Sequence, residues 1–138
     1  MRNFITVSTT VNIPIEQAWT IFTTPKHVIE WNAASADWHT TSAENDLSVG
    51  GTFSYRMEAR DGSFGFDFFG VYDVVEHHKF IQYTLGDNRK VEITFTPIES
   101  VTKITEVFEA ETENAIELQQ YGWQMILDNF KAYAERIS

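Results

Sequence analysis

Residues Asn114 to Ile137, NAIELQQYGWQMILDNFKAYAERI, decide how this chain is read. Ile116, Gln119, Trp123, Ile126, Leu127, Phe130, Ala134 and Ile137 recur at three- and four-residue spacing, so they share one face of a helix. Lys131, Glu135 and Arg136 lie off that stripe. Acids precede the segment at Glu111 and Glu113, and cations stand near its end at Lys131 and Arg136, the arrangement a helix dipole favours. Such a helix is a rod of roughly 35 Å. A rod of that length with one apolar stripe must lie across something broad, and the middle of the chain supplies it.

That middle alternates. Phe53, Tyr55 and Met57 oppose Ser54, Arg56 and Glu58 within an expected strand Thr52 to Ala59. Asp61-Gly62 predicts a two-residue type I′ hairpin turn. Phe64 to Glu76 follows as a long strand, with Gly70 expected at a bulge or bend. Phe80 to Leu85 returns, and Val91, Ile93 and Phe95 alternate in the next strand. Pro97 to Ser100 turns into Thr102 to Glu109. Before these, Asp37 to Asn45 reads as a polar strand suited to a sheet edge, and Asn3 to Val11 as a half-buried first strand. Between those two, Pro14 starts a short helix carrying Ile15, Ala18, Trp19 and Phe22 on one face. Pro25 starts a second, which ends near Trp31-Asn32. The fold class is therefore α+β: about seven antiparallel strands, two short helices after the first strand, and a long C-terminal helix against the sheet.

At 138 residues the chain suits a single domain spanning 1–138. Absence of Cys removes disulfides, thiolate metal sites and cysteine nucleophiles. No apolar run reaches membrane-spanning length and no basic-then-apolar leader opens the chain, so a cytoplasmic protein without membrane insertion is expected. A net charge of −10 argues against a nucleic-acid partner, which requires clustered Lys and Arg. Six Glu between Glu99 and Glu117 against a lone Lys103 read as a solvated face that a basic protein partner could exploit.

The order of elements resembles the helix-grip fold of the START-like superfamily. Within it, Val11 to Trp19 (VNIPIEQAW), Pro25 to Trp31 (PKHVIEW), Val49 to Tyr55 (VGGTFSY) and Gly122 to Tyr133 (GWQMILDNFKAY) resemble the family of activator of heat-shock protein 90 ATPase homologues. The resemblance spans nearly the whole chain. It implies a hydrophobic cavity beneath the long helix and brings no shared catalytic constellation.

Motifs of chemistry are few. His27, His39, His77 and His78 form no HExxH-like ligand spacing, so no metal is expected. His77-His78 falls in a turn open to solvent, and His39 reads as a hydrogen-bonded rim residue, with a ligand or base as the alternative. No GxSxG, phosphate loop or dinucleotide fingerprint is present, and no cofactor is expected. What remains are polar and aromatic residues whose parity turns them inward. Tyr55 shares a face with Phe53 and Met57, and Tyr83 with Ile81 and Leu85; buried phenols call for a polar partner, water or ligand group. Glu106 shares parity with Ile104 and Phe108. Either it faces inward with a raised pKa, or a bulge turns it to solvent. Trp31 and Asn32 should stand at the cavity mouth, Gln119, Gln120 and Trp123 on the helix above it, and Trp38, Phe66, Phe68 and Tyr72 along its wall, with core packing as the alternative for each.

Three functions fit these residues. A binder or carrier of a small apolar or aromatic molecule matches an aromatic pocket with few charges. A small cyclase- or hydrolase-type enzyme would use Glu106, Tyr55 or His39 in the same cavity. A chaperone-ATPase co-regulator, which the resemblance implies, would act through its surface; self-association is a further open possibility.

Overall fold

Over residues 3–138, which the computed structural model describes, the chain runs β1 (Phe4–Val11), α1 (Ile15–Thr23), α2 (Pro25–Trp31), β2 (Trp38–Asn45), β3 (Thr52–Ala59), β4 (Gly65–Glu76), β5 (Phe80–Leu85), β6 (Lys90–Ile98), β7 (Val101–Glu109) and α3 (Ile116–Ile137). Met1 and Arg2, included in the expected domain span, lie outside the described residues. The two short helices meet at Thr24, whose extended backbone (ψ 123°) ends α1. Pro25 enforces that conformation on the residue before it and then occupies the first turn of α2, where its missing N–H leaves no gap.

All strands pair antiparallel in one curved sheet of order β1-β7-β6-β5-β4-β3-β2. β2 through β7 form a meander of hairpins, and β1 closes beside β7 with Val7 opposite Glu106. The polar strand β2 is indeed an edge. β1 is the other edge, and α3 lies along it. Gln120 and Gln124 donate to the Thr6 and Ser8 carbonyls (3.4 and 3.0 Å), Lys131 Nζ to the Thr10 carbonyl (2.6 Å), and Glu135 accepts the Asn12 N–H (2.8 Å). Backbone groups that an edge strand leaves unpaired are thereby occupied by side chains.

The stripe on α3 packs onto the concave face through its middle. Leu127, Phe130 and Ala134 are fully buried. Phe130 meets Phe22 of α1 and Trp31 of α2 edge-on at 5.2 and 5.1 Å, and Trp123 stacks on Phe108 of β7 at 3.8 Å. The stripe's two ends, Ile116 and Ile137, are exposed, because the helix outruns the sheet it covers.

Two local expectations are corrected. The β3–β4 connection is not a two-residue type I′ turn: Gly62 has positive φ (78°) but Asp61 does not. The Gly62 N–H bonds to Ala59 O and the Ala59 N–H to Phe64 O, which makes a wider loop. Gly70 is not a bulge either. It pairs in register with Phe53 and Leu85, and the shift in β4 falls between Tyr72 and Val74. A Cβ at Gly70 would stand 2.7 Å from the Thr84 carbonyl oxygen and 3.0 Å from the Phe53 ring. Glycine is needed there for close approach rather than for bending.

Candidate functional site

β7 pairs with β1 and β6 without a register shift, so its alternation is unbroken: Thr102, Ile104, Glu106 and Phe108 all turn to the concave side. Glu106 therefore faces inward, and the bulge that could have turned it out does not exist. Between the sheet and α3 lies a cavity of about 340 Å³. Phe53, Tyr55 and Met57 of β3, Phe66, Phe68 and Tyr72 of β4, Ile81 and Tyr83 of β5, Ile93 of β6 and Glu106 of β7 form its wall. Gln119, Trp123 and Ile126 of α3 roof it, and Phe22, Thr23, Trp31 and Asn32 close one side from α1 and α2. Arg89, Glu111 and Asn114 reach it from loops.

Most polar groups around this space are engaged by the protein itself. The Tyr72 hydroxyl donates to Asn45 Oδ1 (2.6 Å), and Asn45 Nδ2 donates to the Thr23 carbonyl (2.7 Å). Asn32 Nδ2 donates to Thr40 Oγ1, which in turn donates to the Asn32 carbonyl (3.2 and 2.6 Å). Gln119 borders the cavity, yet its amide clamps the β7–α3 loop: it accepts the Glu111 N–H (2.9 Å) and donates to the Glu111 and Asn114 carbonyls (3.0 and 2.9 Å). Arg89 bonds Asp87 (2.7 Å) and the Glu109 carbonyl (3.4 Å).

Glu106 differs. Burial raises its pKa to about 8, since a carboxylate removed from water without compensation is disfavoured. Burial also pushes the Tyr83 phenol well up, with the nearby Glu106 charge adding to the effect. The Tyr55 and Tyr72 phenols rise for the same primary reason, burial. At neutral pH the cavity thus presents a carboxyl that is largely protonated and three neutral phenols. Such a lining can hold an apolar body and make one or two directed hydrogen bonds; among the described residues there is no cluster of His, Cys, Asp or Glu able to hold a metal.

Trp31, Asn32, Tyr55, Met57, Phe66, Phe68, Tyr72, Tyr83, Glu106, Gln119 and Trp123 are brought together around the cavity. Two expected residues are not. Trp38 lies on a shallower hollow beyond Met57 and Phe66, stacked edge-on with Phe64 and Phe66 because it begins the edge strand. Gln120 is exposed and turned to Thr6 of β1, one helix position away from the inward face. His39 does not line the cavity. The turn histidines are only partly as expected: His77 is exposed, but His78 is half-buried at φ 62°, and both rings pack on Trp19. The acid run is not uniformly solvated, since Glu106 and Glu109 are buried. Arg89, Glu111 and Asn114 escaped the sequence reading because loops carry no periodicity. Phe22, Phe53, Ile81, Ile93 and Ile126 were visible as inward residues, but spacing does not tell solid packing from a cavity wall.

No helix among the described residues is long and apolar enough to cross a membrane. Compared with known proteins, residues 12–135 match the sequence model of the family described as activator of Hsp90 ATPase homolog 1-like protein. The chain is similar to a solved AHSA1-like protein from Aeromonas hydrophila, at 41% identity and TM-score 0.92, covering 98% of this chain and 94% of that one. It is similar also to a protein from Cytophaga hutchinsonii at 50% identity and TM-score 0.84, over 96% and 92% of the two chains. A protein from Chromobacterium violaceum shares the fold at 23% identity and TM-score 0.85, over 96% and 98%. Among curated proteins no match to the chain was found.

Proposed function

The chain belongs to the activator of Hsp90 ATPase homolog 1-like family, and from that premise we propose that it binds or carries a small apolar or aromatic molecule between the sheet and α3. The observation that carries this reading is the cavity of about 340 Å³ with predominantly aromatic walls, whose bordering polar groups are mostly satisfied by the protein. A drug-sized ligand needs a site of roughly 300–1,000 Å³ with a few placed polar groups. We place this activity in the cytoplasm, and the charge of −10 supports a partner other than a polyanion. An enzyme using the same cavity would need a reaction that one acid and the phenols can serve. A chaperone-directed role, suggested by the family's description, would act through the surface and leave the cavity indifferent.

Native mass spectrometry of the purified protein, followed by titration with an aromatic probe, tests the proposal. Trp31 and Trp123 both border the cavity, so an occupant should change tryptophan fluorescence. Trp123→Leu should weaken binding, because it removes the ring that stacks on Phe108 and faces Phe68. Absence of any bound mass, with probe titrations flat in the wild-type protein, would overturn the reading.

A further inference from the structure

Among the described residues, two ionisable groups of the cavity, the Glu106 carboxyl and the Tyr83 phenol, are given no hydrogen bond by the fold, and of the two only Glu106 can carry charge near neutral pH. Glu106 is 7% exposed, and its neighbours across the sheet are Val7 and Ile93. Along β7 its inward neighbours are Ile104 and Phe108. None of these four side chains can donate a hydrogen bond. Among the described residues every side-chain polar atom sealed from open space has a partner; the Glu106 carboxyl receives no hydrogen bond and instead borders the cavity. A carboxyl left in that state calls for a partner, a donor where it is ionised and an acceptor as well where it is protonated.

The surroundings select the kind of donor. Tyr83 approaches from β5, Tyr55 from β3 and Tyr72 from β4, and burial keeps these phenols neutral. Arg89 and Glu111 are the charged groups that reach the space from loops; Arg89 is held by Asp87, and Glu111 accepts the backbone N–H groups of Glu113 and Asn114. What α1, α2 and α3 turn toward the cavity carries no charge. Among the described residues no free cation therefore stands against Glu106, while rings of tyrosine, tryptophan and phenylalanine surround the space and attract one. A chain of net charge −10 also draws cations toward it.

We infer that the cavity's ligand is an apolar molecule bearing one basic nitrogen, an amine whose N–H is received by the Glu106 carboxylate. This rests on the cavity being a ligand site, as proposed above. Entry of the ammonium form displaces the proton of Glu106 to solvent, so binding strengthens with rising pH, about tenfold per pH unit until the carboxyl is ionised. That point lies near its pKa of about 8. A ligand with a carbonyl acceptor would behave oppositely, needing the proton on Glu106 and losing affinity above that pH.

Calorimetric titration of the full chain with naphthylmethylamine and its neutral counterpart naphthylmethanol, across about pH 6 to 9, tests this. The amine should bind more tightly than the alcohol by roughly tenfold to a hundredfold at the upper end, the value of a charge-assisted hydrogen bond. Glu106→Gln should bring the amine to the variant's own level of alcohol binding and abolish the pH slope, with an unchanged circular-dichroism spectrum and a cooperative melt reporting an intact fold. Equal affinities in the wild-type protein, an amine preference that survives Glu106→Gln, or affinity that is flat and then falls above about pH 8 would overturn the inference while leaving the cavity reading in place. Failure of both probes to bind would overturn the two together.

Discussion

Replacing Glu106 by Gln should make the folded protein more stable, and increasingly so as pH rises. The folded-state pKa is raised from 4.5 to about 8, so the native protein holds a proton that the unfolded chain has already released. Stability linked to this group is fully present below about pH 4.5 and is lost as pH climbs through about 8. At about 1.4 kcal/mol per pH unit the displacement amounts to roughly 4–5 kcal/mol once both states are ionised. Relaxation around a buried charge lowers that figure, so a difference of about 2–5 kcal/mol is expected at high pH. Glutamine keeps the shape and never ionises. Urea unfolding of both proteins at about pH 5, 7 and 9 measures it, and the gap in midpoint should open by on the order of 1 M across that range. Glu111 and Glu135, whose carboxyls are held below the usual range by hydrogen bonds, act in the opposite sense at acid pH and cancel from the comparison. Parallel pH profiles for the two proteins would refute an uncompensated inward carboxyl.

Phe130→Ala should cost about 3–5 kcal/mol in denaturant unfolding, since the ring is wholly buried against Phe22 and Trp31. Gly70→Ala should lower stability by about 1–3 kcal/mol, because its methyl has no room beside the Thr84 carbonyl and the Phe53 ring; an unchanged melt would show that the strands can separate there. Truncation after Thr112 removes α3 and should abolish the cooperative thermal transition, and a sharp melt from the shortened chain would contradict the gripping role of the helix.

Alternation was a reliable guide wherever ladders run without interruption. Glu106 lies in ladders free of register shifts; beside Tyr55 and Tyr83 the extra residue falls on β2 and β4, so the alternation of β3 and β5 is itself unbroken, and all three side chains point where their parity put them. β4 is the instructive strand. Its parity holds from Phe66 to Tyr72, then slips by one residue past Tyr72, so that Val75 rather than Val74 stands opposite Ile81. Glycine is an ambiguous sign of such a slip: in this strand Gly70 marks crowding by a neighbouring backbone, and the irregular position carries Asp73. On α3 the stripe correctly named the buried face but not where it ends, because helix length is set by the segment's own sequence and coverage by the width of the sheet. Gln119 shows a further limit. Its inward position was legible, whereas the engagement of its amide by the loop backbone depends on how residues 111–114 turn, which spacing does not encode.

The side chains that run from α3 to the edge of β1 have a consequence for synthesis. Every strand precedes α3 in the chain, so the carbonyls of Thr6, Ser8 and Thr10 stay open to another strand until that helix has been made and docks. Until it docks, the chain carries both an uncovered aromatic face and an adhesive edge, and one helix closes both at once. Docking of that helix is therefore the step at which the new protein stops being a template for aggregation.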